Sequence, residues 1–152
     1  MRFGRLLLTG AAGGLGQVLR TRLAKRCTTL RLSDIASLGE AAAHEELMPA
    51  ALEDRAAVLQ LLAGVDAVVH LGGVATELHF DQIVQANIVG MYNLYEAARQ
   101  HKIRRMVFAS SNHVTGYYRQ DEVVSPHDPV RPDGHYGISK AFGENLSRFY
   151  AL

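Results

Sequence analysis

The sequence predicts an α/β domain in which helices cover both faces of a doubly wound parallel sheet, giving three layers. Three observations support this fold class. Apolar runs of strand length alternate with segments of helical spacing along the 152 residues. Two of those runs, Leu6–Leu8 and Ala67–Leu71, are almost continuously apolar, which is typical of parallel strands buried on both faces. A glycine-rich turn joins the first run to the first helical segment, and crossovers between parallel strands are right-handed.

Composition limits the class of protein. A chain of this length fits one domain, residues 1–152, with a substantial buried core. Hydrophobic residues make up 48% and charged residues 20%, and the formal charge of +1 argues against a nucleic-acid surface. Cys27 is the single cysteine, which excludes an internal disulfide. Without a signal-peptide pattern or an apolar run of membrane-spanning length, we expect a cytoplasmic protein with no membrane partner.

The first half of the chain should supply three strands and two helices. Glu53 and Asp54 place acidic residues in the expected first turn of the second helix, where they suit its dipole. The stretch 36–49 is expected to be mainly a surface loop. In order, we predict a strand at Arg5–Leu8, a helix from about Leu15 to Lys25, a strand at Thr29–Ser33, a short strand at Leu47–Leu52 and a helix at Glu53–Leu62.

The second half should supply two strands and two helices around a loop-rich stretch at 116–134. We predict a strand at Ala67–Leu71, a long helix from roughly Phe80 to Gln100, a strand at Arg105–Ser110 and a helix through Tyr136–Lys140. Apolar residues recur at helical spacing along the long helix: Ile83, Val84, Ile88, Met91, Leu94, Tyr95 and Ala98. Asn87 interrupts this stripe, and a buried amide needs hydrogen-bond partners. It could hold neighbouring loops or contact a cofactor.

The turn after the first strand, Thr9–Gly16, has the spacing G-x-x-G-x-x-G. The first glycine allows a sharp turn, the second leaves no side chain between backbone and a pyrophosphate, and the third lets the helix lie close to the strand. The helix N-terminus adds free N–H groups and the positive end of a dipole. A turn built only for packing is the alternative interpretation. The predicted dinucleotide-binding residues here are Gly10, Gly13, Gly14, Leu15 and Gly16.

Asp34 closes the second strand 18 residues after Gly16. A carboxylate there, about 20 residues beyond the glycines, can accept hydrogen bonds from the adenosine ribose hydroxyls and would repel a 2′-phosphate. The next residue, Ile35, offers no positive charge to NADP. These residues therefore favour NAD, although Asp after a strand is also a common turn or capping residue.

Tyr136 and Lys140 stand at positions i and i+4 of a predicted helix, so their side chains share one face. A nearby cation favours the phenolate, which lets a tyrosine act as a general acid or base closer to neutral pH. Lys140 could also bond a ribose hydroxyl, and Ser111 could hold the reacting oxygen against the Tyr136 hydroxyl. This tyrosine–lysine spacing also arises by accident on helices.

These candidate groups all follow strands. In a parallel sheet the carboxyl ends of the strands meet at one edge, where ligands bind. The glycine loop, Asp34, Gly72–Gly73 and the run Ser110–His113 all fall there. The glycine pair after the fourth strand would let backbone pass close to a cofactor, although it could equally be an ordinary turn. The convergence of these groups is a stronger argument than any one motif.

Together these motifs resemble the extended short-chain dehydrogenase/reductase superfamily, which has a Rossmann-like fold, and more narrowly its uronate dehydrogenase family. The resemblance covers essentially the whole chain. It is carried by the glycine loop, Asp34 and the segments His70–Gly73, Asn87–Arg99, Phe108–His113, Gly116–Tyr118, Arg131–Gly134 and Tyr136–Lys140.

The resemblance implies NAD-dependent oxidation of an aldohexuronic acid at C1 to an aldarolactone, with Tyr136 as the base supported by Lys140. It implies no metal. The substrate contacts it implies are Ser111, Asn112, His113, Tyr136 and the position of Ala75. Beyond the glycine loop, the NAD contacts it implies are Asp34, Ile35, Leu52, Leu71, Gly72, Gly73, Asn87, Ser110, Tyr136 and Lys140.

The chain departs from the family pattern at three places. Ala75 replaces an expected substrate-contacting serine, and Ala51 replaces an aspartate expected on the adenine amino group. Family members also continue beyond the Tyr–Lys helix with further strands and a substrate-binding region. We therefore expect an N-terminal portion of a longer, homo-oligomeric enzyme, unstable or inactive by itself. The alternatives are a sugar-nucleotide epimerase or dehydratase of the same superfamily and a non-catalytic nucleotide-binding module.

Overall fold

The computed structural model describes residues 2–151 and contains one parallel sheet. Its strands are β1 (Phe3–Thr9), β2 (Cys27–Ser33), β3 (Glu45–Leu47), β4 (Ala67–His70) and β5 (Met106–Phe108). Its α-helices are α1 (Gly14–Leu23), α2 (Arg55–Leu61), α3 (Phe80–Ile83), α4 (Gly90–Gln100) and α5 (His135–Ala151). Two 3₁₀ turns (Ala24–Arg26 and Asn112–Thr115) and one π-helical segment (Val84–Val89) complete the regular structure.

The sheet has the strand order β3-β2-β1-β4-β5, and every pairing is parallel. The chain first moves outward from β1 through β2 to β3, then crosses back to build β4 and β5 on the other side of β1. The carboxyl ends of β1 and β4 therefore meet where the order reverses, which is the usual ligand-binding crevice of such sheets.

Alternation along β1 divides the core into two layers. Leu7 faces one side of the sheet and packs with the α2 and α4 residues Val58, Leu61 and Leu94. Leu6 and Leu8 face the other side, with Leu30, Leu32 and the α1 residues Leu19 and Leu23. Helices thus cover both faces, which confirms the predicted doubly wound, three-layer architecture.

The third strand differs from the prediction of Leu47–Leu52. It ends at Leu47 and pairs with β2 through Glu45, Glu46 and Leu47. Met48, Ala50 and Leu52 instead pack against the core from a loop, so their apolar character reflects burial and not strand geometry. Glu45 of this strand also forms an ion pair with Arg20 of α1.

Two helix predictions also change. The prediction of acidic residues in the first turn of the second helix is wrong. Asp54 lies outside the helix as its N-cap and accepts the N–H groups of Ala56 and Ala57. The long helix over 80–100 is not uniformly α-helical. Its middle, Val84–Val89, is a π-helical segment that contains Asn87. Such segments often accompany functional sites.

Among residues 2–151, no helix is both long and apolar enough to cross a membrane.

Candidate active site

The glycine loop is held by contacts that a larger residue would break. Gly10 has a φ of +68°, and a Cβ there would lie 2.7 Å from the Gly72 nitrogen. A Cβ on Gly16 would lie 2.1 Å from the Gly10 carbonyl oxygen. The first glycine therefore makes the turn out of β1, and the third lets α1 pack directly on the loop, as the spacing predicts.

The same loop leaves the N-terminus of α1 open to an anion. Gly13 is the N-cap and offers no side chain, and no acidic residue stands in the first turn. A Cβ on Gly14 would contact nothing within 4 Å, so the space outside this turn is free. The first N–H groups of a helix have no partner within it. This geometry fits the pyrophosphate of a dinucleotide.

Asp34 has a structural role in addition to the predicted one. Its Oδ2 accepts the Ala12 N–H at 3.0 Å, and its Oδ1 accepts the Ala36 N–H at 3.0 Å. The carboxylate therefore supports the glycine loop and closes its own turn. A carboxylate has about four acceptor sites, so lone pairs remain for ribose hydroxyls. Ile35 beside it is 83% exposed and offers an apolar surface at the same edge.

A buried hydrogen-bonded chain joins the ends of β1 and β4. Thr9 Oγ1 accepts the Gly72 N–H at 3.2 Å and lies 2.6 Å from His70 Nδ1. A hydroxyl can accept two hydrogen bonds and donate one, so Thr9 can satisfy Gly72 and His70 together. Burial, with a further contribution from Lys140, lowers the pKa of His70 to about 3, so this ring is neutral. The two strand ends that border the ligand crevice are thereby fixed to each other.

Asn87 joins three elements with its buried side chain. Its Oδ1 accepts the Val74 N–H at 2.8 Å, while Nδ2 donates to the Val74 carbonyl at 3.0 Å and to Ser139 Oγ at 3.0 Å. A Cβ on Gly73 would lie 2.5 Å from Asn87 Oδ1, so this glycine is required by packing within the protein. Both amide hydrogens are used in holding the β4–α3 loop and α5, which is the loop-holding role considered from the sequence. A contact of Asn87 with cofactor remains a prediction.

Tyr136 and Lys140 lie on the buried face of α5. Tyr136 is 8% and Lys140 7% exposed. Lys140 Nζ donates to the Ala109 carbonyl just after β5 at 2.9 Å, and it lies 5.6 Å from the centre of the Tyr136 ring. Burial lowers the pKa of this lysine to about 8. The helix spacing thus places an ammonium beside the phenol, as predicted, and anchors it to the end of a strand.

The Ser110–His113 run lies next to α5. Ser110 Oγ donates to Glu144 Oε1 at 2.6 Å, which turns this hydroxyl toward α5. Ser111 caps the 3₁₀ turn by accepting the His113 N–H at 3.2 Å, and Asn112 follows it at the surface. The His113 ring packs edge-to-face on Tyr136 with centroids 5.5 Å apart. The ring contact brings the predicted substrate residues to the Tyr136 side of the site.

The remaining predicted contacts lie around the β4–α3 loop. Leu71 is partly buried at the end of β4, and Leu52 is buried, within contact distance of a Cβ built on Gly72. Ala75 is exposed in the loop. Arg131 stacks on Tyr118 at 4.4 Å from the ring centre, and that contact accounts for the position of its guanidinium.

Sequence reasoning missed two acidic residues of this region. Glu77 accepts the backbone N–H groups at the start of α5, and Asp133 contacts His113 Nδ1. Neither carries a local signal, because the partners of both residues are brought together only by the fold. Asp133 did belong to the segment Arg131–Gly134 on which the family resemblance rests.

Comparison with known proteins gives consistent matches over nearly the whole chain. Residues 6–151 match the NAD dependent epimerase/dehydratase family. The chain is 55% identical over 149 residues to uronate dehydrogenase of Pseudomonas putida, which covers 97% of this chain and 56% of that protein. It is 56% identical over 146 residues to uronate dehydrogenase of Agrobacterium fabrum, with coverages of 96% and 55%.

A solved structure extends the comparison to three dimensions. A mutant uronate dehydrogenase from Agrobacterium tumefaciens, complexed with NAD, superposes with a TM-score of 0.96 at 55% identity. The superposition covers 97% of this chain and 56% of that chain. The present chain thus spans little more than half the length of these relatives.

Proposed function

The chain belongs to the NAD dependent epimerase/dehydratase family, and from that membership we propose that its active form is an NAD-dependent uronate dehydrogenase. It would oxidise a free aldohexuronic acid, glucuronate or galacturonate, at C1 and release the aldarolactone. The observation that carries the proposal is the buried Lys140 ammonium beside Tyr136, at the sheet edge that also holds the glycine loop. Relatives named uronate dehydrogenase, 55–56% identical, support the choice of substrate class.

We assign residues 1–152 as the NAD-binding domain. In this proposal the N-terminus of α1 and the loop Gly10–Gly16 hold the pyrophosphate. Asp34 accepts from the adenosine ribose and favours NAD over NADP, since a 2′-phosphate would meet its charge. Bound NAD⁺ supplies the acceptor for the hydrogen that leaves C1. The cofactor is also supported by the NAD complex of the Agrobacterium relative.

Within this proposal Tyr136 is the general base. It removes the proton of the anomeric hydroxyl as the C1–H bond breaks and the C1–O bond gains double-bond character, which leaves a lactone. Lys140 favours the phenolate because its charge lies beside the ring in a buried position. The Ala109 carbonyl uses one of the three ammonium donors, so two remain for a ribose hydroxyl or water.

Substrate recognition is assigned to the turn beside Tyr136. Ser111, Asn112 and His113 present one hydroxyl, one amide and one imidazole at a single turn, where Ser111 is partly exposed and the other two are exposed. Ser111 would hold the reacting oxygen, and the other two side chains would bond sugar hydroxyls. Ala75 contributes no hydrogen bond. One sugar contact of about 1 kcal/mol would therefore be missing from this enzyme compared with a serine-containing site.

The test is an NAD⁺ reduction assay on the full-length protein with glucuronate and galacturonate. Tyr136→Phe removes the proton acceptor and should lower kcat by about a hundredfold or more. Tyr117→Phe is the matched control, because Tyr117 is 71% exposed and should leave turnover unchanged. Full turnover by Tyr136→Phe would contradict the proposal. A sugar-nucleotide epimerase or dehydratase would instead release no net NADH from a free uronic acid.

A further inference from the structure

An exposed histidine and an aspartate are paired beside the proposed base. His113 Nδ1 lies 2.9 Å from Asp133 Oδ1 and 3.0 Å from Asp133 Oδ2. His113 lies in the 3₁₀ turn after β5 and Asp133 lies just before α5, and backbone hydrogen bonds hold these two ends of the β5–α5 connection together. Arg131 donates its N–H to the Val114 carbonyl at 2.9 Å, and Asp133 donates its N–H to the His113 carbonyl at 3.4 Å. The pair is therefore a fixed feature of the fold and not a contact between two free surface side chains.

The surroundings leave little freedom to either side chain. A Cβ on Gly116 would lie 2.1 Å from Asp133 Oδ2, so the carboxylate reaches His113 through space that only a glycine leaves open. On its other side the His113 ring meets the Tyr136 ring edge-to-face, with centroids 5.5 Å apart. Carboxylate, imidazole and phenol thus stand in a row, and the imidazole is held from both ends.

The chemistry of the carboxylate fixes the hydrogen on the imidazole. An ionised carboxylate only accepts, so the nitrogen facing it must carry a hydrogen. In a neutral imidazole one nitrogen donates and the other accepts. With Nδ1–H facing Asp133, Nε2 is left with its lone pair. Within residues 2–151, the hydrogen bonds of this ring run through Nδ1.

We propose that Asp133 is a positioning residue that holds His113 as the Nδ1–H tautomer, so that Nε2 accepts a hydrogen bond from a sugar hydroxyl next to the reacting carbon. A ring with hydrogen on Nε2 would present a donor at that point, and the hydroxyl could then only accept, which reverses the direction of this hydrogen bond. Asp133 thereby helps select a polyhydroxylated substrate without touching it. The inference rests on the proposed function, because a sugar acid bound beside Tyr136 supplies the hydroxyl.

Kinetics of Asp133→Asn test the role in full-length enzyme. An amide offers both a donor and an acceptor, so it no longer requires hydrogen on Nδ1. The expected result is a rise of about tenfold in KM for the uronic acid, the loss of roughly one hydrogen bond, with KM for NAD⁺ unchanged. Asp121→Asn is the matched control, since Asp121 is an exposed carboxylate of the same loop paired with Arg119.

A double variant separates positioning from a general structural role. If Asp133 acts through the imidazole, Asp133→Asn should add nothing to the effect of His113→Ala. Additive losses, or an unchanged KM for the uronic acid in Asp133→Asn, would overturn the proposal.

The tautomer itself gives a measurement that needs no turnover. Imidazole ¹⁵N chemical shifts of the wild-type enzyme in alkaline solution should show hydrogen on His113 Nδ1, and Asp133→Asn should shift the ring toward Nε2–H. Hydrogen on Nε2 in the wild type would refute the inference. This readout stands even if no uronic acid is oxidised, so failure of the proposed function and failure of the Asp133 role are distinguishable.

Discussion

Glu77 Oε2 accepts the backbone N–H of Tyr136 at 2.9 Å, although the two residues lie 59 positions apart. Its Oε1 accepts the N–H of His135 at 3.1 Å. The helix that carries the proposed base and its lysine thus begins on a side chain from the β4–α3 loop. The same loop is held from its other end by Asn87, so the start of α5 and the edge of the ligand crevice form one connected unit.

Glu77→Ala should lower both stability and turnover. Removing a side chain that satisfies helix N–H groups costs about 1 kcal/mol. Because Tyr136 would lose its anchor, kcat should also fall by about tenfold or more. Urea unfolding and NAD⁺ reduction measure the two effects. Asp54→Ala is the control, since Asp54 caps α2 away from the site. It should cost similar stability and leave kcat intact, and equal kcat losses in both variants would contradict the anchoring role.

Lys140 should make the protein more stable as pH rises through the alkaline range. Burial lowers its pKa from 10.5 to about 8. Between those values the unfolded chain holds the proton and the folded chain releases it, so stability increases with pH across that window. The gain is at most about 3 kcal/mol. Below pH 8 the lysine is protonated in both the folded and the unfolded state, so it does not change the stability with pH.

Urea unfolding of wild type and Lys140→Met at a series of pH values measures this gain. Tyrosines and other groups titrate in both proteins, so the difference between them isolates the lysine. Lys25→Met is the matched control, because Lys25 is exposed at the end of the α1 region. A wild-type curve parallel to that of Lys140→Met would show that the ammonium is not buried as described.

His70 should make the fold sensitive to acid. Burial and the Lys140 charge lower the pKa of this ring from 6.5 to about 3. Between these values the unfolded chain binds a proton that the folded chain does not, so stability is lost as pH falls through that window. His70→Gln should flatten the decline of Tm with acidification. His127→Gln changes an exposed ring and should leave the decline of Tm with acidification as in the wild type. An unchanged slope in His70→Gln would rule out His70 as its source.

Two glycines of the same loop should respond in opposite ways to alanine. Gly16→Ala forces a Cβ to within 2.1 Å of the Gly10 carbonyl and should destabilise the fold and weaken NAD binding. Gly14→Ala meets nothing within 4 Å and should be neutral or stabilising by up to about 1 kcal/mol, because alanine favours helix. Thermal unfolding measures the stability of both variants, and NAD titration measures the loss of binding in Gly16→Ala. A tolerated Gly16→Ala would disprove the close contact between α1 and the loop.

The parts of this molecule that follow from local spacing were predictable from the sequence. The glycine turn, the strand–helix alternation and the Tyr136–Lys140 pair each depend on a few neighbouring residues. The structure places the glycine turn and the Tyr136–Lys140 pair at the same edge of the sheet. Apolar character alone was less informative. Met48, Ala50 and Leu52 are buried from a loop, although they resemble a strand.

The parts that depend on distant partners were not predictable. The acceptor of Lys140 is a backbone carbonyl after β5, the anchor of α5 is Glu77, and the partner of His113 is Asp133. No spacing rule connects these residues, because the fold alone brings them together. The partners of Asn87 in the π-helical segment, Val74 and Ser139, are likewise distant in sequence.

The central position of β1 has a consequence for how the chain reaches this fold. β1 is synthesised before β4, yet its pairing with β4 joins Leu6 to Ala67, and β4 in turn pairs with β5 through Val68 and Met106. A nascent chain that has made only β1 and β2 therefore carries the central strand with one edge unpaired. Parallel pairings of this separation close slowly. This edge of β1 stays unpaired until β4 is synthesised, and an unpaired strand edge can pair with a strand of another chain.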